Sequence, residues 1–429
     1  MAAILFLLIV LSSSAFGGTF NYIGYGAANQ GLGNSTVALP VDGFSQAYNP
    51  ALMAEQSQSN LSLSIQGAFT SFTPINQVLI STPSLGAAAN TVGNVSLSTK
   101  DAFVFALGYQ TALNPKAERP VHVGINVVTP ILRVFEINSP DMFAPQYSMY
   151  MSDTQRIVPS LTIGKRISDK ISLGIGLNFF LVQGTTSETG LVAGGESTSD
   201  LSADITTGAA PMAGILVDLD ENWKAGLNYR GVQNYLSQLN VSNQLSIVTP
   251  SSLAFTGSTS VAYDPDMILL GFSNTSGQNS FSAEAKYERW SAYSGGAILL
   301  TFQTYTGSFS QYVPPTPFHD IITLHGGFEH RYSASQWRVG YSYVPTPVPD
   351  QSGETNILDS DKHEFYLGYG WKWDKLSWLD GKVSLDLVAF GDYLVPKKIT
   401  KVSSLFIGAP GYSIGGTIFG YGATVTRDF

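Results

Sequence analysis

Phe281-Ser-Ala-Glu-Ala-Lys-Tyr-Glu-Arg289 is the stretch on which the fold turns. Phe281, Ala283, Ala285 and Tyr287 are apolar, and Ser282, Glu284, Lys286 and Glu288 between them are polar. Successive side chains of an extended chain point to opposite faces, so this segment has one greasy face and one charged face. Trp223, Ala225, Leu227 and Tyr229 alternate in the same way with Asn222, Lys224, Asn228 and Arg230, and Val383, Leu385 and Leu387 with Lys382, Ser384 and Asp386. Phe365, Leu367, Tyr369, Trp371 and Trp373 repeat the pattern, as do Ile171, Leu173, Ile175, Leu177 and Phe179.

Working outward, the alternation predicts about fourteen strands: 60–73, 101–112, 120–133, 147–168, 171–187, 204–219, 222–243, 253–274, 280–304, 320–333, 336–345, 362–373, 381–395 and 412–429. Most reach the ~9–11 residues that a tilted membrane strand requires. A large soluble sandwich or propeller also alternates. Three features favour an all-β transmembrane antiparallel barrel instead. Aromatics gather at segment ends, as at Tyr109, Tyr341, Tyr343, Trp371 and Trp373. Short turns at 167–170, 219–222 and 332–335 alternate with long polar stretches at 188–203, 305–319 and 346–361, the asymmetry of periplasmic turns and external loops. The chain also ends in an aromatic strand that keeps Phe419, Tyr421, Ala423, Val425 and Phe429 on one parity. Closing the first strand on the last removes exposed edges.

Composition agrees. Of 429 residues only 12% are charged while 44% are hydrophobic, against a charged share of about 25% in soluble domains. The absence of Cys excludes thiolate chemistry and Cys-ligated zinc, and a net charge of −9 without any basic stripe argues against nucleic acid as a partner. The apolar run Ile4–Leu11, followed by small residues, reads as a signal peptide over residues 1–17, although its leading residues carry no Lys or Arg. No later segment approaches the ~18 apolar residues of a membrane helix, so the barrel at 58–429 is the spanning element.

Residues 18–57 have no strand period. They hold Gly24, Gly26, Gly31, Gly33 and Gly43, then Asn49-Pro50-Ala51 leading into Leu52-Met53-Ala54-Glu55. The Asn-Pro step biases Asn49 away from helical geometry while Pro50 suits a first helical position, so a turn and a short helix are expected. Such backbone cannot face lipid, and it must sit inside the barrel or in the periplasm.

Gly31-Leu-Gly33, Asp42-Gly43 and Asn49-Pro50-Ala51, followed in order by Glu284–Tyr293, Phe318-His-Asp320, Trp337–Tyr343, Pro345–Pro349 and Leu358–His363, resemble the FadL type of outer-membrane transporters for long-chain fatty acids and other hydrophobic compounds. The resemblance implies a monomeric fourteen-stranded barrel of a Gram-negative outer membrane, in contact with lipid and lipopolysaccharide. Its lumen would be blocked by a hatch carrying Phe44, Tyr48, Asn49, Pro50 and Ala51. It also implies a third strand kinked at Thr129 and Pro130 to open a gap in the wall. Pro130, which cannot donate to a ladder, serves equally as the end of that strand. The implied function is passive, hatch-gated uptake with lateral release into the bilayer. Fatty-acid members place basic residues where this chain has Ser187-Glu188 and Pro314-Pro315, so hydrocarbon uptake is the alternative, with Arg133 and His319 as candidate polar contacts for a ligand.

Other functions find less support. A barrel-embedded enzyme needs Ser or Asp beside His, but His325 and His330 differ in parity within one strand and no nucleophile–base pair can be read. Asp359-Ser-Asp361-Lys-His363 alternates polar groups and reads as a solvated loop entering a strand; neither metal nor cofactor is expected. A general porin would lack a hatch, and an adhesin would carry longer loops.

Overall fold

The computed structural model describes residues 23–81, 91–97, 101–131, 143–150, 157–191, 197–245, 251–293, 298–304, 307–313, 316–374 and 381–429. The signal-peptide expectation, Arg133 and Pro314-Pro315 lie outside these residues.

Fourteen antiparallel strands form a closed ring. In chain order they are Asn60–Phe72, Ala102–Ala112, Val121–Pro130, Val158–Arg166, Ile171–Leu191, Ser197–Asp218, Trp223–Arg230, Met267–Ser276, Asn279–Glu288, Ile321–Arg331, Ser335–Val344, Lys362–Trp373, Val383–Thr400 and Gly411–Asp428. The last strand pairs with the first from Asn60↔Asp428 to Phe72↔Gly416, which closes the wall.

The two faces of Phe281–Arg289 show which way the wall points. Phe281 is 53% exposed, whereas Glu284 is 5% and Glu288 4% exposed. The greasy parity is outside and the charged parity inside, throughout the ring: Leu367, Phe365, Ile65 and Phe419 face out, while Glu364, Gln66 and Thr424 are buried. That inversion is stable only if hydrocarbon surrounds the barrel and polar partners fill it.

Four more strands continue beyond the outer rim, where the long connections lie. Gln233–Leu245 pairs in parallel with the outer part of Ile171–Leu191 and antiparallel with Ser251–Asp264, which pairs with Ile298–Thr304, which in turn pairs with Gly307–Val313. This corrects the sequence reading in two places. The segments at 222–243, 253–274 and 280–304 are each broken in two, and much of 188–203 and 305–319, expected as loop, is strand. The breaks fall where the ladder is interrupted locally: at Gly231-Val232, at Pro265, which has no N–H to donate, and at the 3-10 turn Trp290–Ala292. The segment expected at 147–168 becomes a strand only at Val158. Upstream, Ser148–Tyr150 is a 3-10 turn whose neighbour Tyr147 stacks on Phe72 at 4.0 Å. A small hairpin, Val78–Ser81 with Thr91–Gly93, was not foreseen and lies against the outer loops through the Leu79 N–H, which donates to the Ala409 carbonyl at 2.8 Å.

Candidate functional site

Residues 23–56, the described part of the segment read from sequence as a hatch, lie inside the ring. It forms short helices at Ala27–Gly31 and Ser45–Tyr48 and a 3-10 turn at Pro50–Glu55, with Ala27, Phe44, Asn49, Ala51 and Leu52 buried. Asn49 shows why this residue type is needed. Its Oδ1 accepts from the Ala51 N–H at 3.0 Å, capping the turn that Pro50 begins, while its Nδ2 donates to the Val37 carbonyl at 2.9 Å and to the Ile215 carbonyl of the wall at 3.1 Å. A short amide side chain offers an acceptor oxygen and, on a separate nitrogen, two donor hydrogens, and all three are used here.

The wall is shaped to receive the Asn49–Ala51 turn. Gly164, Gly174 and Gly214 sit side by side on three neighbouring strands. A Cβ at Gly174 would lie 2.3 Å from the Pro50 carbonyl carbon, and one at Gly214 would lie 1.9 Å from Asn49 Oδ1. The three glycines make a groove that any side chain would fill. Elsewhere wall side chains hold the hatch: Thr162 donates to Gln46 Oε1 at 2.6 Å, Asn228 to the Tyr48 carbonyl at 2.7 Å, and Arg230 to the Ala47 carbonyl. At the inner end Glu55 pairs with Arg166 at 2.6 Å and with Lys224, and both cations also reach Asp218. His325 and Ser342 are 2.8 Å apart, but both engage the Gly33 carbonyl at 2.9 and 3.0 Å, so this Ser–His contact holds the hatch. His330 points to the other face and meets Asn279.

Above the hatch lies a cavity of ≈ 130 Å³. Its hatch side is Gly24, Tyr25, Asn34 and Tyr48, and its apolar side includes Met149, Val158, Met267, Trp290 and Ile321. Trp290 is brought there by the 3-10 turn Trp290–Ala292 that follows the Asn279–Glu288 strand. It belongs to a buried cluster in which Trp290 stacks on Phe318 at 5.9 Å and Tyr293 meets Tyr263 at 4.9 Å and Phe318 at 5.0 Å. The polar side carries Lys286 at 3.4 Å from Glu288, Lys362 at 3.3 Å from Glu364, and Glu284, which accepts from the Val37 N–H at 3.1 Å.

Of the residues expected to act, Tyr48 is at the cavity. Its hydroxyl donates to Asn34 Oδ1 at 2.7 Å and accepts from the Tyr25 N–H at 2.9 Å, and burial pushes its pKa up. Phe44 is fully buried in packing between the hatch and the wall beside Gly108, and Asn49, Pro50 and Ala51 lie at the glycine groove; none of the four lines the cavity. Thr129 and Pro130 close the third strand in unbroken register with Phe105 and Val104, while the ladder to the fourth strand ends two residues earlier, at Val128↔Val158. His319 is exposed, its N–H donates to the Pro347 carbonyl at 3.0 Å, and it does not line the cavity. The stretch Asp359–His363 is not the solvated loop expected. Asp359, Ser360 and Lys362 are buried, because Tyr150 donates to Asp359 Oδ1 at 2.5 Å and Thr346 to its Oδ2 at 2.5 Å, drawing the segment over the lumen. Burial raises the Asp359 pKa.

Asp42 is a buried carboxyl within the hatch segment. Burial pushes its pKa up to about 7, against hydrogen bonds from the Phe44 N–H at 2.9 Å and Asn29 Nδ2 at 2.7 Å. The sequence reading missed Trp290, Tyr150, Lys362 and Glu364. The parity of Glu284, Lys286 and Glu288, with that of Lys224 and Arg230 and of Lys382 and Asp386, was the signal that charges line the lumen.

The comparisons with known proteins fit this architecture. A search of curated proteins gives no match. Among solved structures, a Pseudomonas aeruginosa FadL homologue is similar with a TM-score of 0.58 and 16% identity over 94% of this chain and 98% of that one. The CymD monoaromatic hydrocarbon channel gives 0.56 and 12% over 95% and 98%, and the Ralstonia pickettii toluene transporter TbuX gives 0.54 and 15% over 96% and 100%. At these identities the likeness shows the fold. The family model described as outer membrane protein transport protein (OMPP1/FadL/TodX) matches residues 8–395, and the chain belongs to that outer-membrane family.

Proposed function

We propose that this protein takes up small hydrophobic molecules of about the size of one aromatic ring, by passive diffusion through the hatch-gated barrel. The observation that carries this reading is the ≈ 130 Å³ cavity between the hatch and the Trp290 cluster. A cavity of about 150 Å³ in a protein core suffices for benzene, whereas an extended long-chain fatty acid needs several times that room. The names of CymD and TbuX, as hydrocarbon channel and toluene transporter, agree with a ring-sized cargo. Two of the three fixed cations at the cavity, Lys286 and Lys362, each face a glutamate, which agrees with a cargo that lacks a carboxylate; the third, Arg230, donates to the Ala47 carbonyl.

Capture rests on burial of apolar surface, about 25 cal/mol per Å², and requires no chemistry. Release requires the hatch to shift so that the cavity loses its floor at Tyr48. A lateral exit is supported by Val158, which lines the cavity and is also the residue at which the ladder between the third and fourth strands stops, beside Thr129 and Pro130. The protein works as a monomer embedded among outer-membrane lipids and lipopolysaccharide.

Uptake of labelled toluene and of a labelled long-chain fatty acid by cells with and without the protein tests the reading. Protein-dependent uptake of toluene but not of the acid is expected. Uptake of the acid alone would overturn the size argument, and uptake of neither would overturn the assignment of the cavity as a substrate site.

A further inference from the structure

We propose that the cavity is built for an uncharged aromatic molecule bearing a hydrogen-bonding oxygen, a phenol in its simplest form, and that Asn178 and Arg230 set this preference over a bare hydrocarbon. The inference rests on the reading of the cavity as the substrate site and deepens it.

The first ground is Asn178. It lines the cavity and is only 8% exposed, yet its side-chain amide has no hydrogen-bond partner among the described residues. Four residues on from Gly174 and on the same inward parity, it projects from the wall beyond the groove that holds the hatch. Other polar groups at the cavity are taken up by the hatch: Asn34 Oδ1 accepts from the Tyr48 hydroxyl, Glu284 accepts from the Val37 N–H, and His325 meets the Gly33 carbonyl. Buried amides are ordinarily satisfied, so one left open at a cavity marks the place of a ligand's polar atom.

The second ground is Arg230, which also lines the cavity. Asn178 stands opposite Ala210 and Arg230 opposite Met212, on the two flanks of the Ser197–Asp218 strand. Their backbones are therefore two ladder spacings, roughly 10 Å, apart. Arg230 Nη2 donates to the Ala47 carbonyl, but the Nε–H is buried without an acceptor. The pair thus offers an open amide, both donor and acceptor, and one further open donor. A bare hydrocarbon leaves all of them unmatched, the asymmetry by which sites built to hydrogen-bond a ligand reject analogues that lack the polar group.

Charge decides between a neutral oxygen and a carboxylate. Among the described residues the cavity is lined by five carboxylates against three fixed cations, Arg230, Lys286 and Lys362, and each of the two lysines faces a glutamate. An anionic ligand at Arg230 would enter a surplus of negative charge, whereas an uncharged oxygen takes the same donors without that repulsion.

The test measures binding of p-cresol, p-xylene and 4-methylbenzoate, which share one ring and differ in one substituent, to the purified barrel with its hatch. Each affinity is compared with that ligand's own transfer from water into octane, which removes the difference in hydrophobicity. Scaled on p-xylene, p-cresol is expected to bind at least about tenfold more tightly than octane transfer predicts. Asn178→Leu should remove most of that excess without weakening p-xylene. The wild-type comparison stands by itself if the variant fails to fold. If p-cresol follows octane transfer, or if its excess survives in a folded Asn178→Leu barrel, the inference is overturned and hydrophobic uptake stands. Tighter binding of 4-methylbenzoate than of p-cresol would overturn both this inference and the exclusion of carboxylates. Binding of none of the three would overturn the cavity as the substrate site.

Discussion

Replacing Gly174 by Ala puts the smallest possible side chain into the groove that holds the hatch. The added Cβ would stand 2.3 Å from the Pro50 carbonyl carbon and 2.4 Å from the Ala51 nitrogen, where ordinary contacts begin at 3.4 Å. Both opposing atoms are backbone, so no rotamer change relieves the clash, and the hatch has to retreat by roughly 1 Å. Overpacking of this kind costs ~1–3 kcal/mol. The cost falls on the docked hatch alone, since an undocked hatch leaves the groove empty. The ratio of docked to undocked states should therefore fall by roughly 5- to 150-fold. Single-channel recording in planar bilayers reads this directly: the wild type should be nearly silent, and Gly174→Ala should show frequent openings. Gly353→Ala, where an added Cβ meets nothing within 4 Å, is the control. Heat-modifiable migration on gels would show that both variants keep a folded barrel. If folded Gly174→Ala stays as silent as the wild type, the groove does not determine hatch position and the reasoning fails.

Three more outcomes follow from the same geometry. Asn49→Ala removes the hydrogen bonds to the Val37 and Ile215 carbonyls and the cap on the Ala51 N–H, each buried group left unpaired costing ~1–3 kcal/mol; protease cleavage within the hatch should become fast while the barrel remains resistant. Asp42, whose pKa is raised from 3.8 to about 7 by burial, favours the docked hatch in its protonated form. Its contribution is complete below the unfolded value and is lost as pH rises through the folded one, so conductance should increase with pH between these limits and Asp42→Asn should flatten the dependence. Arg at Leu367, which is 61% exposed on the lipid face, should destabilise folding into liposomes by ~2–4 kcal/mol, measured by urea titration.

The wall was legible in the sequence because lipid on one side and polar contents on the other force strict alternation, as at Phe281–Arg289. The ring strands accordingly fall near their expected places. Legibility stopped where that constraint stops. Beyond the rim, Gly307–Val313 pairs with Ile298–Thr304, and the sequence Gly-Ser-Phe-Ser-Gln-Tyr-Val does not by itself distinguish ladder from loop. The turn and short helix at Asn49-Pro50-Ala51 were legible in the sequence, but the groove that receives them was not. Gly164, Gly174 and Gly214 become one surface only through the pairings between strands. The cavity was illegible for a related reason. Trp290 follows a strand in sequence and could be read as its continuation, yet one 3-10 turn carries it inward. Lys362 and Glu364 belong to a strand and Asp359 to a loop, and their common environment depends on Tyr150, some 200 residues away in the chain.

The pairing of Asn60–Phe72 with Gly411–Asp428 joins segments separated by almost the entire chain. Contacts of such separation are slow to form, because the loop they close must first lose its freedom. The hatch leads directly into Asn60, so it is delivered ahead of the wall. A wall completed around a hatch already in place would use it as a template for barrel assembly as well as an obstruction in the finished pore. Shortening or disordering it should slow the final seam between the first and last strands, even where every wall residue is intact.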